Sequence, residues 1–435
     1  MKVKEDNKKI LYLNLKTYQS PHIKNQIVGL FIHDKPDSTF EQNLYIKEKV
    51  FLYRSTVNEI NVYKSQNQHQ EDEESITSIS IRNGDFFLTT KISFSLYNLT
   101  TQDINNIQNQ LWYVMNLDEE IKNQNNTERG ENEDYCLCEG DIIKFGIELY
   151  ILRKINISNY NNITDNNEKN IYDIHSLNNN KGIIFDLYTE PKVLDEQNFC
   201  THIINELNDP NEIENYKQKI EKEIIIKNNV KYYKFNLNNV NKCNKCNKIY
   251  PLRFKKTEES EIIDLINIDI PKNKNYIILE SIKIDNLEIY VIELTGEDEN
   301  ITIGRKEEND IVIDRENKTV TRNHAVIKYY KNERKLILKD KSNYAGTMVL
   351  IRNKIKISEK KEIYLQAGRT FIMAKVIDEN EYIKKLKDDY FKEKEEKEKK
   401  EEQIKAVDEK ESYKLEKSDE FYGEVKQEYD STKFQ

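Results

Sequence analysis

Proline, glycine and cysteine are scarce in this chain: six prolines, 11 glycines and five cysteines among 435 residues. Collagen-like and Pro/Gly-rich low-complexity architectures are excluded by that scarcity. Five cysteines cannot form a disulfide framework at this length, so a reducing, intracellular setting is expected. No window approaches the roughly 18 consecutive apolar residues of a membrane span, and no membrane partner is expected. Met1 to Ser20 lack the apolar stretch and small-residue cleavage site of a secretory signal, so an intracellular location is expected, the cytoplasm first, with the cytoskeleton and nucleus as alternatives. Neither sign of charge dominates. Lys and Arg number 68 against 77 Asp and Glu, a net charge of −9, and no basic domain advertises a nucleic-acid partner.

Hydrophobic residues make up 37% of the chain and arrive in short runs rich in Ile and Tyr. That pattern predicts modest β-rich cores separated by polar connectors, and the length suggests two to four domains. Residues 1–25 form an N-terminal extension. Residues 26–156 read as a separate β-rich domain with strands at Val28–Ile32, Leu44–Ile46, Val50–Tyr53, Ile76–Ile81, Phe86–Leu88, Lys91–Tyr97 and Trp112–Met115. Asn83-Gly84 joins two of these runs and is a hairpin signal. Gly140-Asp141 predicts a further turn. Cys136 and Cys138 alternate on a strand, so their side chains face opposite ways and packing is favoured over metal.

Residues 157–182 are Asn-rich and read as a linker. In the segment 183–260, Asp209-Pro210 is a plausible helix start. Ile213, Tyr216, Ile220 and Ile224 follow at spacings that place them on one helical face. Residues 276–378 return to short β-branched runs. Residues 379–415 are rich in Lys and Glu, with Glu393–Lys397, Glu395–Lys399 and Glu396–Lys400 placed to support a helix. No apolar residue lies between Lys392 and Gln403, so a solvated helix is expected there. Residues 416–435 read as a disordered tail.

The stretch from Ile301 to Thr347 concentrates chemistry on loops between β runs. It carries Gly304-Arg305, Asn309-Asp310, Thr321-Arg322-Asn323-His324-Ala325, Asp340 and Gly346-Thr347. A phosphorylated threonine has nearly two negative charges and three acceptor oxygens, and Arg offers a planar fork of donors that suits them. The order of these motifs resembles a forkhead-associated (FHA) domain, a β-sandwich that reads phosphothreonine, over about residues 276–378. The resemblance implies that Arg305, Thr321 and Arg322 contact phosphopeptide, and Asn343 or Tyr344 could compensate for a contact that Ala345 cannot make. It implies structural roles for Gly304, His324, Gly346 and Thr347. One position departs from the family. Ala345 stands where an Asn usually holds the peptide backbone, and Ala has no side-chain donor or acceptor. A working phosphothreonine pocket and a fold-only module both remain open on sequence.

Leu137-Cys-Glu-Gly140-Asp141 and the run that follows are similar to the penultimate turn and last strand of an FHA sandwich. The N-terminal region could then be a divergent relative, and it lacks the Gly-Arg and Ser-Arg-x-His loops. Its pocket, on that reading, is lost. Cys243-x-x-Cys246, with Tyr232-Tyr233 before it and Tyr250-Pro251-Leu252 after it, looks like the closing end of a RING-CH finger. That is an order found in protozoan proteins that join such a finger to an FHA domain. A full finger needs eight ligands, and the segment has too few, so a degenerate, small α/β version is implied. Cys200, His202, Cys243 and Cys246 could hold one zinc. The alternative is that Cys200 is a buried small hydrophobe and His202 is incidental. No Walker loop, nucleophile elbow or metalloprotease helix is present. The expectation is a mainly β, non-enzymatic interaction or scaffold protein with a protein partner in a larger complex. A RING-CH-type ubiquitin ligase directed by the FHA domain is the alternative.

Overall fold

The computed structural model describes residues 11–19, 42–54, 60–90 except 69, 72, 83 and 84, 107–115, 135–157, 202, 211, 222–236, 245–246, 253–254, 263–282 except 265 and 267, 286–342 except 297–298 and 314–315, and 346–405 except 352–354, 358–361, 369, 392–393 and 396. Two compact units divide the chain. One comprises residues 13–376, and the other joins residues 1–12 to 377–435.

In the large unit, the first series of strands is β1 (Leu11–Gln19), β2 (Gln42–Ile46), β3 (Val50–Arg54), β4 (Ile60–Tyr63), β5 (Glu74–Arg82), β6 (Asp85–Thr89), β7 (Leu111–Val114), β8 (Tyr135–Cys136), β9 (Ile142–Phe145) and β10 (Glu148–Asn156). Four strands follow: β11 (Lys222–Lys227), β12 (Val230–Asn236), β13 (Arg253–Phe254) and β14 (Ile263–Asp264). The last series is β15 (Asn275–Ser281), β16 (Asn286–Leu294), β17 (Glu299–Gly304), β18 (Ile311–Val312), β19 (Ala325–Tyr330), β20 (Lys335–Asp340), β21 (Thr347–Leu350), β22 (Ile355–Ile357), β23 (Ile363–Ala367) and β24 (Thr370–Asp378). The mainly β class agrees with the short β-branched runs of the sequence.

The strands order as a twelve-stranded sheet, β11-β12-β16-β15-β10-β9-β21-β7-β23-β24-β1-β2, with two five-stranded sheets, β18-β17-β19-β20-β8 and β22-β6-β5-β3-β4, and the pair β13-β14. An internal symmetry runs through this order. Outward from the central pair β21-β7, one side reads β9, β10, β15, β16 and the other reads β23, β24, β1, β2. Adding 14 to any strand number in β1–β10 gives its counterpart in β15–β24, and the five-stranded sheets obey the same rule. The chain therefore contains two ten-strand repeats of like strand order, which differ at one pair: β3–β4 is antiparallel and β17–β18 parallel.

The repeats exchange their closing strands. β10 pairs with β15, through Leu152↔Leu279 and Ile155↔Ile277, and not with β1. β24 lies beside β1 rather than β15. In the same way β9 pairs with β21, β23 with β7, β8 with β20 and β22 with β6. One composite sandwich holds β15–β21 closed by β8–β10, and the other holds β1–β7 closed by β22–β24. The expectation of separate domains at 26–156 and 276–378 is thus corrected. Every strand keeps its local pattern in either arrangement, and the exchange adds the β7–β21 pairing, Trp112↔Leu350 to Val114↔Met348. The core records this mixing. Trp112, Val114, Ile142, Leu149 and Ile151 pack with Ile282, Met348, Leu350 and Phe371 from the other repeat. Residues 11–19, expected in an extension, form β1.

The segment between the repeats also departs from expectation. Ile224 lies on β11, not on a helix; Ile213, Tyr216 and Ile220 fall outside the described residues. A run of three β-branched residues followed by Asn228-Asn229 and an alternating strand favours a two-residue hairpin, and Asn228 adopts φ 51° there. β12 then adds to β16 along its whole length, from Val230↔Ile292 to Asn236↔Asn286. The β5–β6 hairpin closes at Arg82↔Asp85, and its tip, Asn83-Gly84, lies outside the described residues. Gly140 sits at a turn.

In the small unit, residues 379–391, 394–395 and 397–405 are helical. Asp378 accepts the Glu381 N–H at 2.9 Å, a capping-box arrangement that starts the helix. Tyr382 stacks on Tyr12 at 4.0 Å between centroids. Lys385–Glu381 and Lys394–Glu398 pair at 3.6 and 3.8 Å across one turn, and residues 397–405 are exposed throughout.

Candidate functional site

The loop after β17 and the loop before β19 meet at one end of the sandwich built on β15–β21. β17 must stop at a residue without a side chain. A Cβ on Gly304 would lie 2.8 Å from the Arg322 carbonyl carbon and 2.9 Å from Asn309 Nδ2. That close approach lets the backbones zip together. Arg305 N–H donates to Thr321 O at 3.1 Å, Lys306 N–H to Arg322 O at 3.2 Å, and His324 N–H to Ile303 O at 2.7 Å. Asn309, almost fully buried, braces the two loops. Its Nδ2 donates to Lys306 O at 2.9 Å and to Arg322 O at 2.7 Å.

His324 locks the second loop. Its Nδ1 accepts the Thr321 N–H at 3.1 Å, which leaves Nε2 to carry the proton and donate to Gly346 O at 3.2 Å. Burial holds this imidazole below the usual histidine range, with the Asp340 charge opposing that shift. The neutral form fits the pattern, since a protonated Nδ1 could no longer accept from Thr321. Asp340, also buried, accepts from Ser342 N–H at 3.3 Å, Ser342 Oγ at 3.0 Å and the Thr347 hydroxyl. Ser342 and Thr347 are therefore anchored by Asp340, and Gly346 by His324.

Arg305, Thr321 and Arg322 come together on neighbouring loops of this end. Arg305 is half-buried and Arg322 exposed. Neither guanidinium has a hydrogen-bond or ion-pair partner among the described residues, and Arg305 Nε is shielded from solvent with none. The Thr321 hydroxyl donates to Asn323 O at 2.9 Å. Asn343 and Ala345 lie outside the described residues. So do Cys200 and Cys243; His202 and Cys246 are described, and no cluster of metal-ligating side chains occurs among the described residues.

The first repeat supplies a support for this site that local sequence does not reveal. The β9–β10 turn sits under the loop carrying Thr321. Ile147 N–H donates to Thr319 Oγ1 at 3.1 Å, Glu148 Oε1 accepts from Asn317 Nδ2 at 2.8 Å, and the Phe145 ring meets the His324 ring edge-on at 5.9 Å. The β11–β12 turn supports the other loop. Lys227 Nζ donates to the carbonyls of Glu307 and Asn309, and Asn228 Nδ2 donates to Asp310 Oδ1 at 3.1 Å. Asn309 and Asp340 were visible as polar residues between β runs, but nothing in the sequence marks them as braces.

At the equivalent end of the other sandwich, β3 finishes at Arg54, the counterpart of Arg305. Its guanidinium has internal partners, donating to Ala367 O at 2.7 Å and pairing with Glu74. The neighbouring Glu73 accepts from Asn61, from the Tyr63 hydroxyl and from Gln70 N–H. Glu74 thus pairs with the guanidinium that an incoming phosphate would need.

Comparison with known families finds an FHA domain at residues 301–374. No curated protein and no solved structure matches the chain. The matched segment is divided: β17–β21 belong to one sandwich and β22–β24 close the other. No helix among the described residues is long and apolar enough to cross a membrane.

Proposed function

We propose that the chain is a non-enzymatic interaction protein that reads phosphothreonine in a protein partner at the Arg305–Thr321–Arg322 end of its second sandwich, within a larger assembly. The observation that carries the reading is a pair of arginine guanidinium groups without acceptors among the described residues, beside a loop fixed by His324 and Asn309. A buried guanidinium nitrogen with no partner is costly unless a ligand supplies the acceptor. On binding, the Thr321 hydroxyl exchanges its bond to Asn323 O for one to phosphate. The arginine fork holds two phosphate oxygens at once. Arg54 gives the contrast: the same position in the other sandwich is neutralised from within, so one site per chain is expected.

Calorimetry with a degenerate phosphothreonine peptide library tests the reading. Binding of the phosphorylated pool with a stoichiometry near one, and none of the unphosphorylated pool, supports it. Arg305→Ala should weaken binding about tenfold or more, since a charge-assisted contact contributes about 1.5–3 kcal/mol. Equal binding of both pools, or none, rejects it.

A further inference from the structure

We propose that strand β11 is a self-association edge, through which two copies of this chain pair antiparallel about a two-fold axis. β11 is the terminal strand of the twelve-stranded sheet, and no strand among the described residues covers its outer side. Three consecutive isoleucines on it are exposed: Ile224 at 44%, Ile225 at 46% and Ile226 at 67%. Edge strands are ordinarily blunted by proline, bulges or central charges. β11 has no proline, its pairing with β12 runs without a bulge, and its central residues are apolar.

The occupant is argued from the strand's own sequence. Glu223-Ile224-Ile225-Ile226-Lys227 is charge-complementary to itself when reversed. Setting Ile225 against its own copy puts Ile224 opposite Ile226 and Glu223 opposite Lys227 at both ends. Cross-strand pairs of these kinds are the favourable ones. Lys227 uses two of its N–H bonds on the carbonyls of Glu307 and Asn309, which leaves its third for the partner's carboxylate. The hairpin geometry agrees with that register. A two-residue turn makes Lys227↔Val230 a hydrogen-bonded pair, so Ile225 and Glu223 also bond inward to β12. The N–H and C=O groups of Ile224 and Ile226 are then the ones directed outward. The proposed register joins those two residues in hydrogen-bonded pairs. It leaves Ile225–Ile225 and Glu223–Lys227 as the closer-spaced non-bonded pairs. Other registers place a charge against isoleucine or leave an end unpaired. The contact is small, so association on the order of tens of micromolar is expected rather than a permanent dimer.

The test uses the full chain. Sedimentation velocity should show monomer–dimer exchange for wild type, and Ile225→Lys, which sets two lysines face to face on a solvent-exposed strand, should weaken it at least tenfold with the thermal midpoint unchanged. Single-cysteine substitution fixes the register. In a non-bonded antiparallel pair the Cα atoms are about 4.5 Å apart, within disulfide range. Ile225→Cys should therefore cross-link to itself under mild oxidation well above the background of the native cysteines. Ile224→Cys alone should not, while a mixture of Ile224→Cys and Ile226→Cys chains should. A wild type that stays monomeric at every concentration overturns the proposal, as does a dimer that survives Ile225→Lys or cross-links in another register.

Discussion

Gly146→Ala places one methyl group at the junction between the two repeats. Gly146 adopts φ +61° in the β9–β10 turn, and a Cβ there would lie 2.7 Å from Thr319 O and 2.8 Å from Thr319 C, and would also strike Thr319 Oγ1. The left-handed conformation costs a residue with a Cβ about 1–2 kcal/mol. Overpacking against backbone adds about 1–3 kcal/mol, because the Thr319 carbonyl group cannot rotate away. A loss of roughly 2–5 kcal/mol in unfolding free energy is expected from these two effects together. The methyl should also push the Thr319–His324 loop, more than 170 residues away in sequence, off its support. The Ile147–Thr319 bond breaks first. Urea denaturation followed by amide exchange at Thr321 and His324 measures both consequences. A stability change under about 0.5 kcal/mol, typical of a surface site, would refute the close packing of the first repeat's turn against the second repeat's loop.

The remaining predictions concern the braces and the exchange. Asp340→Ala strands the Ser342 and Thr347 donors in the interior and should cost about 1–3 kcal/mol by thermal denaturation. His324 has a folded-state pKa below its unfolded value, so the unfolded chain binds the proton first. The stability contribution is complete above the ordinary histidine range and is lost as pH falls through it toward the folded pKa; His324→Gln should remove that slope from the urea midpoint between about pH 7 and 5. Asn309→Ala removes the clamp between the two loops and should lower peptide affinity together with stability, whereas Arg322→Ala, on an exposed side chain, should lower affinity alone. A protease site inserted between residues 160 and 200 tests the exchange of strands. After cleavage the two fragments should co-elute in size exclusion without denaturant; separation into two folded species would mean that each repeat closes on itself.

The sequence was legible where the signal is local. Gly304-Arg305 and Thr321 to His324 are short motifs on loops, and β17 and β19 bring them together within a single hairpin-like neighbourhood. The β5–β6 hairpin follows from a two-residue turn between alternating runs. Strand exchange was not legible, because β8–β10 have the same apolar alternation whether they close their own repeat or the other. Pairing partners of equal pattern differ only in connection length and in the added β7–β21 contact. The helical assignment of Ile224 failed for a different reason. Isoleucine spacing of four can be matched by chance inside a β-branched run, and the Asn228-Asn229 turn outweighed it. Glu74 pairs with Arg54 because the two sit opposite each other in the β3–β5 pairing, a proximity that a linear reading cannot supply.

The most direct measurement of the phosphate-reading site is an amide ¹⁵N–¹H titration of the full chain with a phosphothreonine peptide. The largest shifts should fall on Arg305, Lys306, Thr321, Arg322 and His324, with Arg54 and its neighbours silent. Shifts centred on Arg54 or on β11, or no shifts at saturating peptide, would contradict the assignment of this end of the second sandwich as the reader.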